Sequence, residues 1–307
     1  MRAKVSGYAA ALIVALTTQC ISAADAVQAN VVVRVARAQP THRLVETARL
    51  AVGYGSTARA IGFTPGASER EPVGPSAFDV DGTGAYVVAD PVHQRIVRVA
   101  PQGGTGVVTR LATLPLPFSE LAVDRDGWIY VTDLRSRLLT TITATATSRT
   151  PLGGKRLGTR FVRQGDEVVL SQPSASRQLH RGALRPAPRS VTVRKCNAEA
   201  FRVTAAPSGD SIQIEIGGPL ASVRLLGVNA TGDVFVVVER FVKRGQLAVT
   251  RQVLVLSPTG VLKARLEVLG EPTLHPEREL VLGPDGALHR MVPGDKAVSF
   301  QRWEVQP

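Results

Sequence analysis

Residues 74–100 read GPSAFDVDGTGAYVVADPVHQRIVRVA, and residues 118–142 repeat the phrase as FSELAVDRDGWIYVTDLRSRLLTTI. Each copy is an apolar run, an Asp/Gly turn, a second apolar run ending in Asp, and a third run that carries arginine. The turns are what a hairpin needs, because Gly tolerates the positive φ of a tight reversal. A single antiparallel sheet of such hairpins leaves two apolar faces uncovered, so copies of it must stack. The pattern therefore predicts an all-β chain folded as a β-propeller.

Weaker copies follow downstream. RFVRQGDEVVL at 160–170 has strand, Gly-Asp turn and strand; 202–216 turns at Ser208-Gly209-Asp210, and 225–241 at Thr231-Gly232-Asp233. Further turns stand at Ser257-Pro258-Thr259-Gly260 and Pro284-Asp285-Gly286. Their spacing predicts six blades, with five as the other count it allows. A propeller closes by lending its last blade a strand from the other end of the chain, which removes exposed sheet edges. The expected donor is the β-branched run VVVRV at 31–35, beside 298–305.

The first residues carry a different signal. Arg2 and Lys4 precede an apolar stretch at 9–16, and Ala24-Asp25-Ala26 gives a small-x-small cleavage site, so residues 1–26 read as a secretory leader. Residues 27–307 then form one propeller domain, exported to the periplasm or outside the cell. No later run reaches about 18 apolar residues, so no helical membrane span is expected. With Cys20 in the leader, Cys196 is the sole remaining thiol and no internal disulfide can form. Cys196 is expected to be a small buried hydrophobe.

Residues 75–100 resemble an NHL repeat. Pro75, Val80-Asp81, Gly84, Tyr86-Val87, Ala89-Asp90 and Arg95-Ile96 fall where that family has its proline, strand, turn, YVAD core and RI pair. His93 stands where the repeat has Asn, and the second copy is one residue shorter between Asp133 and Arg137. The resemblance implies a six-bladed ring whose Asp90, Arg95, Asp133 and Arg137 tie strands to turns. Propellers of this shape include metal-dependent lactonases and lyases as well as purely binding proteins, so the fold leaves activity open.

No residue pattern picks a catalyst. Asp79, Asp81, Thr83, Gly84 and Asp90 match a calcium-hand spacing, but a β run occupies the place of the following helix. Histidines 42, 93, 180, 275 and 289 show no paired zinc spacing. Gly53-Tyr54-Gly55-Ser56-Thr57-Ala58 fits a loose dinucleotide fingerprint without the βαβ unit that fingerprint requires. No cofactor, no metal ligand and no catalytic residue is expected.

Charge is the remaining signal. The chain carries 37 basic and 25 acidic residues, a formal balance of +12. Residues 134–198 hold thirteen basic side chains against Asp166 and Glu167. Clustered charge makes a field that steers anions, whereas dispersed charge mostly solvates. Within this stretch Gly182, Pro186 and Pro188 interrupt any helix, so about 171–198 reads as a basic loop insertion. Arg177, Arg181, Arg185, Arg189, Arg194 and Lys195 are its candidate anion-binding residues. Nucleic acid is not the expected partner: aromatics make up 5% of the chain and Phe161 is the sole one in the basic stretch. An unidentified protein or an anionic surface fits better. The expected function is an exported binding or scaffolding module, with a lactonase-like hydrolase or lyase at the central channel as the alternative.

Overall fold

A computed structural model describes residues 31–307 apart from 36–37, 67–70, 111–118, 134–136, 153–159, 172–175, 182, 188–189, 207–209, 243–248, 270–275 and 277. The leader expected over 1–26 lies outside the described residues. No helix among them is long and apolar enough to cross a membrane.

Strands β1 (Val31–Arg34) and β2 (Arg43–Gly53) come first and each joins a sheet made later. The sequence GPSAFDVDGTGAYVVADPVHQRIVRVA folds into β3 (Ala77–Val80), β4 (Tyr86–Asp90) and β5 (Arg95–Val99), with β6 (Thr105–Arg110) outside them. Its repeat gives β7 (Ser119–Val123), β8 (Ile129–Asp133), β9 (Leu138–Ile142) and β10 (Thr147–Pro151). Both sheets are antiparallel meanders in chain order. Gly84 and Gly127 turn the first hairpin of each at φ of +81° and +80°, donating N–H to Asp81 O and Asp124 O.

Next come β11 (Arg160–Gln164), β12 (Glu167–Ser171), β13 (Ser176–His180) and β14 (Ala183–Pro186). Then β15 (Ser190–Lys195), β16 (Ala200–Ala206) and β17 (Ser211–Glu215) form a sheet that β1 completes in parallel with β17. Strands β18 (Leu220–Val228), β19 (Val234–Phe241), β20 (Val249–Leu256) and β21 (Leu262–Glu267) make another meander. Finally β22 (Leu280–Leu282), β23 (Leu288–Pro293) and β24 (Ala297–Gln306) take β2 as their fourth strand.

The arrangement is a β-propeller. Inner strands β3, β7, β11, β18 and β22 lie each against the next, and β22 returns to β3. A parallel bridge from Ala77 to Arg278 closes the cycle. Inner and second strands are buried on both faces, as in Ala77–Val80 and Tyr86–Asp90, because a neighbouring sheet covers each side. Outermost strands return to alternation, as in β6, or to full exposure, as in β10. Apolar layers fill the spaces between sheets: Val87, Ile96, Leu121 and Val131 in one, Phe78, Tyr86, Met291 and Phe300 in another.

Three expectations need correction. Six separate blades do not form: the described strands give four separate four-stranded sheets and one of eight strands. The large sheet arises because β11 and β18 pair in parallel at Arg163–Gly227 and Gln164–Val228. Gly227 permits this approach, since a Cβ there would stand 2.5 Å from Arg163 O and 2.9 Å from Leu282 Cδ2. Second, the ring is closed by an N-terminal strand, but that strand is β2 and not VVVRV. β2 pairs with β24 from Arg43–Gln306 to Gly53–Ala297, and its greater length offers more ladder bonds than the four residues of β1. Third, the basic segment is not a loop. Residues 176–180 and 183–186 form the outer hairpin of the β11–β14 half-sheet, and 190–195 form β15.

Candidate arginine cleft at the mouth of a plugged axis

Arg163 occupies the place where a propeller channel would run. It sits on β11, is 2% exposed, and reaches three other inner strands at once. Its Nε donates to Leu282 O on β22 at 3.0 Å. Its Nη2 donates to Asp79 Oδ2 at 3.1 Å and to Val80 O at 3.4 Å on β3, and to Val123 O on β7 at 2.8 Å. Asp79 Oδ2 also accepts Val123 N–H at 2.9 Å. A planar guanidinium suits the task, because its donors are spread in a fixed fork that can satisfy several acceptors together. The same low dielectric makes the pair costly to break, since either partner alone would be a buried charge.

Above this plug, towards the N-terminal ends of the inner strands, lies a small, half-open cleft with room for about one water. Arg160, Arg224, Arg278 and Glu120 line it, over apolar walls from Phe161, Leu225, Leu226 and Leu280. The register explains why two arginines meet. Arg160 and Arg224 each stand three residues before the Arg163–Gly227 pair on parallel strands, so they come level at the mouth.

Most charges here are already engaged. Glu120 accepts Phe161 N–H at 2.8 Å and faces Arg160 Nη1 at 3.4 Å. Arg278 lies between Asp79 Oδ1 at 3.8 Å and Glu120 Oε2 at 4.0 Å, with its Nη1 3.4 Å from Phe161 O. Among the described residues Asp79 Oδ1 accepts no hydrogen bond. Arg224 differs: among the described residues it has no hydrogen-bond or ion-pair partner. Burial pushes its pKa down to about 10, and the positive charge of Arg160 adds to that effect against the pull of Glu120. It remains a cation at neutral pH. Behind it Arg251 is held by Glu239 at 2.9 Å and Glu279 at 2.6 Å.

The cleft does not fit a divalent cation. Three of its four charged groups are guanidiniums, which have no lone pair to offer. Among the described residues no three His, Cys, Asp or Glu side chains come together as a metal cage. The calcium-like spacing of the first repeat is dispersed in space. Asp79 faces the axis; Asp81 caps its own turn through Thr83 N at 2.9 Å and binds Arg98 at 2.7 Å; Asp90 holds Arg95 at 2.8 Å and His93 at 2.9 Å.

The basic residues singled out from sequence lie elsewhere. Arg177 and Arg185 are exposed on β13 and β14, and Arg181 at the turn pairs with Asp126 at 3.1 Å. Arg194 and Lys195 are exposed on β15, where the ammonium of Lys195 bonds to Leu220 O. Arg189 lies outside the described residues. Cys196, expected to be buried, is exposed. The sequence reading missed Arg163, Arg224, Arg278 and Glu120, because nothing local separates them from other arginines and glutamates on strands.

Past the C-terminal end of β22, in the turn to β23, Asp285 ties that turn to β24. Its Oδ2 accepts Arg302 Nε at 3.0 Å and Nη2 at 2.8 Å, and its Oδ1 lies 3.4 Å from His289 Nε2. Burial alone would raise this carboxyl, but the His289 and Arg302 contacts outweigh it and hold the group well below the usual carboxylate range. His289 is buried, with its Nδ1 3.4 Å from Tyr86 Oη.

Sheets ringed about a shared axis, with that axis filled and one mouth cationic, define a β-propeller with a closed centre. No protein-family model matches the chain, and no curated protein does. Among solved structures, a DUF4221 family member from Bacteroides vulgatus superimposes with a TM-score of 0.52 at 9% identity, covering 87% of this chain and 99% of that one. At such identity the likeness is one of fold. Virginiamycin B lyase from Staphylococcus aureus gives 0.46 at 10% identity, covering 83% of this chain and 99% of its own. A gluconolactonase from Xanthomonas campestris gives 0.39 at 14%, with 85% and 100% covered.

Proposed function

We propose that this chain is an exported, non-enzymatic binding propeller whose partner is anionic. The observation that carries the reading is the filled axis: Arg163 stands where a lactonase-like hydrolase or lyase would gather its ligands. Such chemistry needs several oxygen or imidazole donors aimed at one point. Here that point is held by a guanidinium already bonded to three strands, and the mouth beyond it offers more arginine than carboxylate. Cationic mouths recruit anions and hold them in a site partly shielded from water.

In this reading residues 1–26 direct export, 27–307 form one domain, and kinship with NHL-repeat propellers rests on residues 75–100. The hairpin of Arg177, Arg181 and Arg185, with Arg194 and Lys195 on β15 and Arg189 from the same basic segment of sequence, adds a second surface for an anionic envelope or an acidic protein. The test is a thermal melt of purified mature protein with and without a chelator, beside elemental analysis and retention on anionic vesicles. The expected result is salt-sensitive retention and a melting temperature unmoved by chelation. Stoichiometric calcium or zinc, with a melting temperature that falls on chelation, would overturn the reading in favour of the metal-dependent enzyme.

A further inference from the structure

We infer that the cleft between Arg160, Arg224 and Arg278 is a site for one chloride ion, which serves as the counter-ion of Arg224. The inference rests on the anionic reading of the mouth and is independent of the outer hairpin. Its ground is a shortfall of negative charge. Asp79 Oδ2 takes Arg163 at 3.1 Å while its Oδ1 lies 3.8 Å from Arg278. Glu120 is divided between Arg160 at 3.4 Å and Arg278 at 4.0 Å. Glu279 binds Arg251 at 2.6 Å and Arg290 at 2.5 Å, and Glu239 binds Arg251 at 2.9 Å. With Arg224, this linked set counts six arginines against four carboxylates among the described residues.

The shortfall comes to rest on Arg224. It is largely buried, and among the described residues nothing pairs with it; Arg160, Arg278 and Arg251 repel it, whereas Glu120 and Glu239 attract it. A charge withdrawn from water without a partner is costly, and an anion in contact offsets that cost. The space beside Arg224 selects the anion. With room for about one water, it excludes sulfate, phosphate and carboxylates and admits a monatomic ion of about a water's size. A neutral water would fill the same space and leave the charge imbalance as it stands. Fluoride fits less well, because the cost of withdrawing an ion from water grows as its radius shrinks. The half-open mouth lets the ion exchange with solvent.

Urea unfolding of the intact mature protein tests this, with sodium chloride replacing sodium gluconate at constant ionic strength, since the gluconate anion is too large for the cleft. Once chloride exceeds its dissociation constant, each tenfold rise should lower the unfolding equilibrium constant about tenfold relative to Arg224→Met, which should show no such dependence. Sodium bromide should act as chloride does, and sodium fluoride more weakly. In gluconate alone Arg224→Met should be at least as stable as wild type, because it removes an uncompensated cation. Replacing Arg177 and Arg185 by Gln should leave the chloride dependence whole. Crystals of the wild-type protein grown in sodium bromide should show one anomalous peak beside the Arg224 guanidinium.

The same chloride dependence in wild type and Arg224→Met would overturn the assignment, as would equal stabilisation by sulfate at matched ionic strength, which is screening and not a site. A chloride dependence that survives Arg224→Met but is lost with the hairpin arginines would move the ion to the outer surface. A loss of stability in gluconate for Arg224→Met, with no chloride dependence in wild type, would make Arg224 a packing residue alone. No chloride dependence up to about 0.3 M, with vesicle retention intact, would end this inference and spare the broader one; loss of both would end both. If Arg224→Met fails to fold, the wild-type bromide crystals decide, and the absence of a peak beside Arg224 overturns the site.

Discussion

Replacing Arg163 by Met keeps much of its length and removes its charge. The variant leaves Asp79 as a buried carboxylate with Val123 N–H at 2.9 Å and Arg278 at 3.8 Å, and strips the donor from Leu282 O, Val123 O and Val80 O. Removing one partner of a buried ion pair costs about 3–5 kcal/mol, and each orphaned acceptor adds up to about 1 kcal/mol. Typical domain stabilities are about 5–15 kcal/mol, so Arg163→Met should sit near the edge of folding. Urea unfolding, read through Trp128 and Trp303, measures the loss. Asp79→Asn in the Met background should cost less than the sum of the two single changes by more than about 1 kcal/mol, because it removes the charge that Met left stranded. Arg163→Lys should fall between, since one ammonium cannot span three strands. A loss under about 1 kcal/mol for Arg163→Met, or additivity within about 0.5 kcal/mol, would refute the plug.

Three other outcomes follow from the same geometry. Gly227→Ala places a methyl 2.5 Å from Arg163 O and should cost about 2–3 kcal/mol in the same urea assay, and an unchanged midpoint would mean that β11 and β18 are not in contact. Asp285 is held below its unfolded value, so it contributes stability above about pH 4 that is lost as pH falls toward the depressed folded pKa. Asp285→Asn should therefore flatten the fall in urea midpoint from pH 5 to pH 2.5, roughly the window below the unfolded carboxylate value, and an identical slope in both proteins would discard the linkage. Substituting Arg177, Arg181, Arg185 and Arg189 by Gln should abolish salt-sensitive retention on anionic vesicles; undiminished retention would remove the hairpin as a contact surface.

The hairpins were legible because turn chemistry is local. Asp81 to Gly84, Asp124 to Gly127 and Asn229 to Gly232 each close the same reversal through a Gly N–H, and the sequence shows each of them. Strand partnership across the chain was not legible. VVVRV reads as a strand while the apolar run at 43–52 reads as strand or helix, and which one meets β24 depends on length, register and a bulge between Glu46 and Ala48 that no periodicity reveals. Charge density drew attention to 171–198, yet it does not see pairing: Arg181 turns out to face Asp126. Arg163 and Arg160 look alike within RFVRQ. Only Asp79, 84 residues earlier, makes the first a plug.

The most direct test of the account is hydrogen exchange at the Arg163 Nε–H in arginine-labelled protein, with the signal assigned by its loss in Arg163→Lys. A guanidinium sealed among four inner strands should exchange at a rate set by opening of the ring itself, far slower than Arg177 on the outer hairpin. Exchange as fast as at Arg177 would show a wet, open channel, and the closed centre on which the binding reading stands would be gone.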